Sequence, residues 1–351
     1  MAAEPIFDKL DRIARKGYPF MASVEVTEHC NARCGYCFIK KNDRSLNELS
    51  TNQLCAALEK LSKNGIIHLH ITGGEPFLRS DILDVLSYAI EQSFFYCTLF
   101  TNGILLTEKH LDFLIKNRDF FAKIQMSIFS HIAAKNDAYF GVPGALEAII
   151  KNALLLKENG LRLSFAMNIL DFNIDDMEET HKFFENHGLP FSFGYFKIIT
   201  SPRLENTLSD ITTYSFYKRY FLSLHPKALE ELKVRMSQSL EASSMENTEL
   251  CAGRWTALYM NPQGDLSPCL AFRTLKLGNI FEDRTLHDIL QSSPDYHAIC
   301  GKKKTDFTKC LRCKFHNFCS LCLGEVHTES NSLQVENEQV CNFARALYDL
   351  I

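Results

Sequence analysis

The 351 residues carry 38 Lys and Arg against 42 Asp and Glu, a formal charge of −4, with 46% hydrophobic residues. That length accommodates one large domain and a smaller one, and the weakly acidic balance provides no global basic field for nucleic acid. No stretch reaches the apolar length of a membrane span, and the first turn-lengths, with Asp8, Asp11, Arg12 and Arg15, lack the apolar core of a secretion signal, so a cytoplasmic protein working away from nucleic acid and membrane is expected.

After an N-terminal extension of residues 1–21, residues 22–198 repeat one theme: a short β-rich run, a polar turn, then a helical stretch. The patterns predict strands over 23–27, 66–72, 95–101, 123–128, 161–169 and 191–198, with helices over 52–61, 82–92, 108–115, 145–158 and 175–185. Six βα units in series imply a parallel sheet with right-handed crossovers. Six are too few for the usual closed eight-stranded barrel. The expected fold is therefore α/β, a partial (β/α)6 TIM-like barrel followed by a small cysteine-rich α+β domain.

The strands alternate where fully covered parallel strands read as continuous apolar runs. Ile67, Leu69 and Ile71 share one face, and His68, His70 and Thr72 the other. The same period places Glu25, Thr27, Thr98, Gln125, Ser127, Ser164 and Asn168 on polar faces. Polar faces from five strands converging inward imply a wet, ligand-holding lumen. His68 and His70 read as hydrogen-bonded lumen residues rather than metal ligands.

Residues 199–248 read as a helical bridge, with 214–224 and 226–240 its best stretches. From 249 to 351 the texture changes to hairpins, turns and cysteines. The run 256–260, the turn Asn261-Pro262-Gln263-Gly264 and the run 265–269 form a hairpin pattern. The basic run Lys302, Lys303, Lys304 reads as a solvated loop.

Cysteine is the anomaly: 13 in a chain without an export signal, which disfavours a disulfide framework. Ten fall into two spaced groups, suggesting metal ligation. Cys30, Cys34 and Cys37 follow the first strand within eight residues. Three thiolates this close can hold three irons of a cubane and leave the fourth unligated, which is what a catalytic metal needs to take a reactant. Zinc is the alternative, with His29 as a crowded fourth ligand. The second strand ends in Thr72-Gly73-Gly74-Glu75-Pro76, where the glycines permit close backbone approach to a ligand and Glu75 offers a carboxylate to an amino group. Polar residues thus gather at the C-terminal ends of consecutive strands, where barrel-type enzymes build active sites.

The second group is Cys251, Cys269, Cys310, Cys313, Cys319, Cys322 and Cys341. Seven are one short of two complete four-ligand sites, which suggests one fully ligated cluster and one with three protein ligands; a pair of structural zinc sites is the alternative. Cys97 and Cys55 read as core packing. Cys300 is either an unliganded thiol or a fourth ligand for the incomplete site.

The spacing of Cys30, Cys34 and Cys37, combined with the Gly-Gly-Glu-Pro run, resembles the radical S-adenosylmethionine (SAM) superfamily over residues 22–198. The resemblance implies a [4Fe–4S] cluster on those three cysteines, its free iron chelated by the cofactor's amino and carboxylate groups. By position, Tyr36 would contact the adenine and Glu75 the methionyl amine, with Gly73, Gly74 and Pro76 beside it. Asn102, Ser127 and Asn168 would be ribose or carboxylate contacts. Reductive cleavage of the cofactor would give a 5′-deoxyadenosyl radical that abstracts hydrogen from substrate. The C-terminal cysteines, with the segment Leu277-Gly278-Asn279-Ile280, resemble a SPASM domain. That implies an auxiliary cluster on Cys251, Cys269 and Cys322 and a distal one on Cys310, Cys313, Cys319 and Cys341, making three [4Fe–4S] clusters in all. The spacing before Cys322 is one residue shorter than the family's usual.

Members with this domain often act on peptides, and the segments beginning Cys251-Ala252-Gly253-Arg254 and ending Cys322-Leu323-Gly324 resemble maturases of ribosomally made peptides, which form thioether or C–C cross-links or invert stereocentres. A low-potential donor of flavodoxin or ferredoxin type is implied. Only 21 residues precede the first strand, too few for a leader-binding domain, so for a leader-bearing peptide the expectation is a separate recognition protein or binding by the barrel mouth alone. The alternatives are a sulfatase-maturating type of oxidase, lowered by the absence of cysteine over 252–268, a cofactor or haem-biosynthesis enzyme, and a non-catalytic metal-binding sensor.

Overall fold

A computed structural model describes residues 6–35, 37, 39, 47–168, 170, 172–194, 230, 233–234, 250, 253–310, 313–319, 321–330, 333, 341, 344–346 and 348–349. The expected bridge over 199–248 lies almost wholly outside the described residues. Strands β1 (Met21–Glu25), β2 (His68–Thr72), β3 (Tyr96–Thr101), β4 (Phe121–Ile128), β5 (Leu163–Asn168) and β6 (Phe191–Gly194) lie side by side, each parallel to the next. Helices α2 (Thr51–Lys63), α3 (Ile82–Glu91), α4 (Glu108–Lys116), α5 (Ala133–Phe140), α6 (Ala145–Glu158) and α7 (Met177–Asn186) make the crossovers. Helix α1 (Ile6–Ala14) precedes β1.

Alternation along the strands fixes the two faces. Val24, Leu69, Ile71, Leu99, Ile124, Met126, Phe165 and Met167 are wholly buried and meet helix residues such as Leu54, Leu58, Val85, Leu114, Ile149 and Phe184. In register on the opposite face, Ser23 stands beside His70 and His70 beside Thr98, while Gln125 stands beside Ser164. The polar lumen face read from the sequence is therefore present. Helix starts are locally specified as well: the Ser50 hydroxyl accepts from Gln53 N while the Gln53 side chain reaches back to the cap, and Thr107 does the same with His110.

The sheet does not stop at six strands. Strand β7 (Ala257–Met260) pairs parallel to β1, and β8 (Asp265–Ser267) and β9 (Gly278–Asn279) continue antiparallel, giving the order β6-β5-β4-β3-β2-β1-β7-β8-β9. The expected hairpin exists, turned by Asn261, whose side-chain oxygen accepts from Gln263 N and Asp265 N, with Gly264 at φ +82°. Its seat against β1 has no local signal, because a parallel partner 236 residues away is chosen by packing and not by a turn. The single-turn helix α8 (Gly253–Thr256) leads into β7. Its Trp255 lies between the guanidinium groups of Arg15 and Arg254, 4.2 and 4.1 Å from the ring centre, and donates to Asp11 Oδ1 at 2.8 Å. Helices α9 (Leu286–Gln291), α10 (Pro294–Gly301) and α11 (Leu323–Ser330) complete the described C-terminal part. Among the described residues no single helix is long and apolar enough to cross a membrane.

Candidate active site and cluster-binding loops

The chain leaving β1 is pinned before it reaches the first cysteine. Thr27 donates its hydroxyl to both Glu48 carboxylate oxygens, 2.9 and 3.0 Å away, and Glu28 N donates to Glu48 Oε1 at 2.7 Å. Arg79, itself ion-paired with Asp81, donates to the carbonyls of Val26 and Leu49. The second anchor is the glycine pair after β2. Gly74 N donates to Thr27 O at 2.7 Å and Glu75 N to His29 O at 2.8 Å. A Cβ on Gly74 would stand 2.1 Å from His29 O, and one on Gly73, at φ +142°, 2.4 Å from Thr27 O. The missing side chains of these glycines thus let their backbone close on the cysteine loop.

Beyond these anchors the loop turns on Cys37 N→Cys34 O at 3.2 Å, and Arg33 N donates to Phe140 O at the end of α5. Cys30 Sγ accepts from Ala32 N at 3.4 Å and lies 3.9 Å from Asn102 Nδ2, donors that suit a thiolate. His29, offered as a zinc ligand, is more than half exposed and faces Glu48 at 3.9 Å. Tyr36 lies outside the described residues.

Glu75 is completely buried. Its Oε1 accepts from Thr101 Oγ1 at 2.7 Å and from Phe77 N at 3.2 Å, and its Oε2 from Asn102 N at 2.7 Å. Burial pushes the carboxyl up to about 7 against the pull of these donors. Three donors leave one of a carboxylate's roughly four lone-pair sites open. Pro76 opens the short 3₁₀ turn Pro76–Leu78 directly behind it. The buried Asn102 gives its amide to Asn31 Oδ1 at 2.8 Å and accepts from Ile104 N, so it braces the cysteine loop. Ser127 and Asn168 stand half-buried on the lumen face near the C-terminal ends of β4 and β5.

Deeper in the lumen, His68 Nε2 meets Thr98 Oγ1 at 3.0 Å and His70 Nδ1 meets Ser23 Oγ at 3.3 Å, as expected of lumen residues. Burial, with the nearby His68 and Lys123, brings His70 down to about 4, so it is a neutral imidazole at pH 7. Glu25, at 1% exposure, is ion-paired at 3.2 Å with Arg273, which also lies 3.8 Å from Glu28. Arg273 follows Cys269 by four residues, and nothing in the sequence marks it as a lumen residue.

The C-terminal cysteines sit on two packed features. Cys269 begins the 3₁₀ turn Leu270–Phe272, and α11 begins one residue after Cys322. Gly324 brings α11 against that turn; a Cβ there would stand 2.4 Å from Ala271 Cβ. Cys269 and Cys322 therefore flank one close contact, while Cys251 lies outside the described residues. Cys310, Cys313 and Cys319 lie on a staircase of turns in which each third amide donates to the carbonyl three residues back: Phe307 to Lys304, Cys310 to Phe307, Cys313 to Cys310, His316 to Cys313 and Cys319 to His316. Cys341, whose immediate neighbours lie outside the described residues, has helical backbone geometry.

Two buried groups test whether an anionic metal–sulfur group fits there. His316 is buried with no hydrogen-bond partner for Nδ1 among the described residues, and its imidazole is lowered by burial and by Lys304, which leaves a neutral ring able to donate to sulfur. Lys304, expected in a solvated loop, is instead 4% exposed, because its ammonium is drawn under the staircase. The donor set and its surroundings fit. Among the described residues no three His, Cys, Asp or Glu side chains are arranged around a single-ion position.

Three other cysteines can be placed. Cys97 is buried in the core as expected. Cys55 is only half-buried on α2, beside the positions of Asp81 and Asp84, and not a core residue. The Cys300 thiol, raised by burial, lies 3.8 Å from Arg254 O.

Residues 24–184 match the radical SAM superfamily and residues 251–314 the SPASM iron–sulfur cluster-binding domain. The chain is a radical SAM enzyme with a C-terminal SPASM domain, and S-adenosylmethionine and iron–sulfur clusters are its cofactors. It is 23% identical over 93% of its length, and 71% of the relative's, to the antilisterial bacteriocin subtilosin biosynthesis protein AlbA of Bacillus subtilis. The AdoMet-dependent heme synthase of Nitratidesulfovibrio vulgaris is 22% identical, covering 91% of each chain, and the PqqA peptide cyclase of Granulibacter bethesdensis is 24% identical, covering 81% of this chain and 76% of the relative. In fold, the chain is similar to Streptococcus suis SuiB bound to its precursor peptide SuiA, with a TM-score of 0.73 at 18% identity over 97% of this chain and 82% of that one.

Proposed function

We propose that this enzyme is a maturase of ribosomally made peptides, abstracting hydrogen from a residue of a precursor peptide to form a thioether or C–C cross-link or to invert a stereocentre. The observation that carries this is the meeting of three features at one end of the sheet: the Cys30–Cys37 loop, the buried Glu75 beside it, and Arg273 reaching Glu25 from the cysteine-rich C-terminal segment. The names of two relatives, a bacteriocin biosynthesis protein and a peptide cyclase, support a peptide as the substrate. When bound, the cofactor supplies the 5′-deoxyadenosyl radical. In this reading Cys30, Cys34 and Cys37 hold the cluster that binds it, and Glu75 takes its amino group on the open lone pair. Gly73, Gly74 and Pro76 set that contact through the backbone, while Tyr36, Asn102, Ser127 and Asn168 line the rest of the cofactor. The polar strand faces admit the substrate to the lumen. Cys251, Cys269 and Cys322 hold one auxiliary cluster and Cys310, Cys313, Cys319 and Cys341 the distal one, three in total. The electron comes from a small low-potential protein, and a separate leader-binding protein presents the peptide.

Relatives named as heme synthases favour a second reading, in which the substrate is a small tetrapyrrole precursor. One experiment separates the two. The anaerobically reconstituted chain, reduced in the presence of S-adenosylmethionine, is offered short precursor peptides encoded beside its gene and, separately, a haem precursor. The expected result is 5′-deoxyadenosine formed with a peptide that is lighter by a hydrogen pair or carries an inverted residue. Peptides unchanged in mass and stereochemistry, with the haem precursor converted, would overturn the first reading.

A further inference from the structure

Of the three consecutive lysines, only Lys304 is buried. Its Nζ donates to His316 O at 2.8 Å and Cys319 O at 3.3 Å, the last two carbonyl-bearing steps of the staircase that begins at its own carbonyl. The chain thus closes on itself: Lys304 starts the run of turns through Cys310, Cys313 and Cys319, and its ammonium locks the far end. Among the described residues, both hydrogen-bond partners of that ammonium are neutral carbonyls. Asp306, the nearest carboxylate in sequence, caps the exposed side instead, accepting from Lys303 N at 2.9 Å. Taking an ammonium out of water without an opposite charge is expensive, and dipoles alone compensate for it poorly. The fold tolerates this where an anion is to stand nearby. Four thiolates around a [4Fe–4S] core carry net negative charge, and one-electron reduction adds another.

We propose that Lys304 is the built-in counter-charge of the distal auxiliary cluster, and that it raises that cluster's reduction potential by favouring its more negative, reduced form. This rests on the reading that Cys310, Cys313, Cys319 and Cys341 hold an iron–sulfur cluster. Net charge near the cluster and hydrogen bonding around its sulfurs are the levers a protein has on such a potential, and Lys304 works through the first. Its hydrogen bonds go to the backbone that carries Cys319, so it positions the ligand loop without contacting substrate.

The test uses the reconstituted full-length chain with Cys30, Cys34 and Cys37 replaced by alanine, so that only auxiliary clusters contribute, titrated with dithionite and followed by electron paramagnetic resonance. The distal signal is the one lost in Cys310→Ser. Lys304→Gln keeps a donor and removes the charge; Lys304→Arg keeps both. With iron and sulfide content unchanged, Lys304→Gln is expected to lower the reduced-to-oxidised ratio at fixed potential about tenfold, a midpoint shift of about 59 mV to the negative, while Lys304→Arg stays with the parent. If Lys304→Gln loses the distal iron and Lys304→Arg retains it, the charge is what holds the cluster and the counter-charge stands. An unchanged midpoint in Lys304→Gln, or loss of the cluster in both variants, would overturn the proposal. Failure of the underlying cluster reading looks different: Cys310→Ser would then remove neither iron nor sulfide from the parent.

Discussion

Glu75 is a carboxyl held in a dry pocket by donors that are all fixed to the backbone or to Thr101. Its value of about 7 lies above the ordinary 4.5, so below pH 4.5 it favours the folded chain, and this contribution is lost as the pH rises toward 7. A sulfonium cofactor seated beside it reverses the bias, since a nearby positive charge favours the ionised form. The expected signature is an infrared carboxyl band, absent in Glu75→Gln, that disappears with a midpoint near 7 in the cofactor-free chain and at lower pH once S-adenosylmethionine is added. A midpoint that does not move on adding cofactor would remove Glu75 from the cofactor contacts proposed here. Glu75→Ala is the poorer probe, because it strands the buried amides of Phe77 and Asn102, at about 1–3 kcal/mol for each unsatisfied group.

The element that matters most is the strand-to-loop junction where β1 and β2 end together. Gly74→Ala places a methyl against the His29 carbonyl, and since both partners are backbone, the cysteine loop has to yield. Overpacking of this kind costs about 1–3 kcal/mol. The expected outcome is a folded protein whose iron content at the first cluster falls after reconstitution; full iron at that cluster would show that the junction does not hold the loop. That the Gly-Gly run packs against the cysteine loop was not legible in the sequence, because a sequence does not say what a glycine is close to. Strands and the long helices were legible because their faces differ in polarity with periods of 2 and 3.6. Helix α5, which anchors Arg33 of the cysteine loop, was missed for the same reason. Its sequence AAKNDAYF buries Asn136 completely, with the side chain accepting from Phe129 N, so a polar residue sits where the pattern calls for an apolar one. Lys304 escaped likewise: a buried lysine reads as a surface lysine until its neighbours are placed.

At the scale of the whole molecule, the cysteine-rich segment is fused to the barrel sheet. Strand β7 extends the sheet at β1, Trp255 is clamped between Arg15 of the N-terminal segment and Arg254, and Arg273 carries a positive charge to a carboxylate that would otherwise be buried alone. The first two contacts share surface with solvent or backbone. The third does not, because Glu25 is 1% exposed at the inner end of β1 and burial pushes its carboxyl up against the opposing pull of Arg273. Removing one member of a buried pair leaves an uncompensated charge, at a cost of about 3–5 kcal/mol, whereas neutralising both members costs much less. Arg273→Met is therefore expected to destabilise the chain by that amount in urea unfolding followed by Trp255 fluorescence, and the double variant Arg273→Met with Glu25→Gln to recover most of it. The probe is well placed, since Trp255 is the sole tryptophan and sits where the N-terminal helix meets the strand that joins the two parts. A single variant as stable as the parent would mean that water or a neighbouring group already compensates Glu25, and the link between barrel and cluster segment would then rest on β7 and the Trp255 contacts.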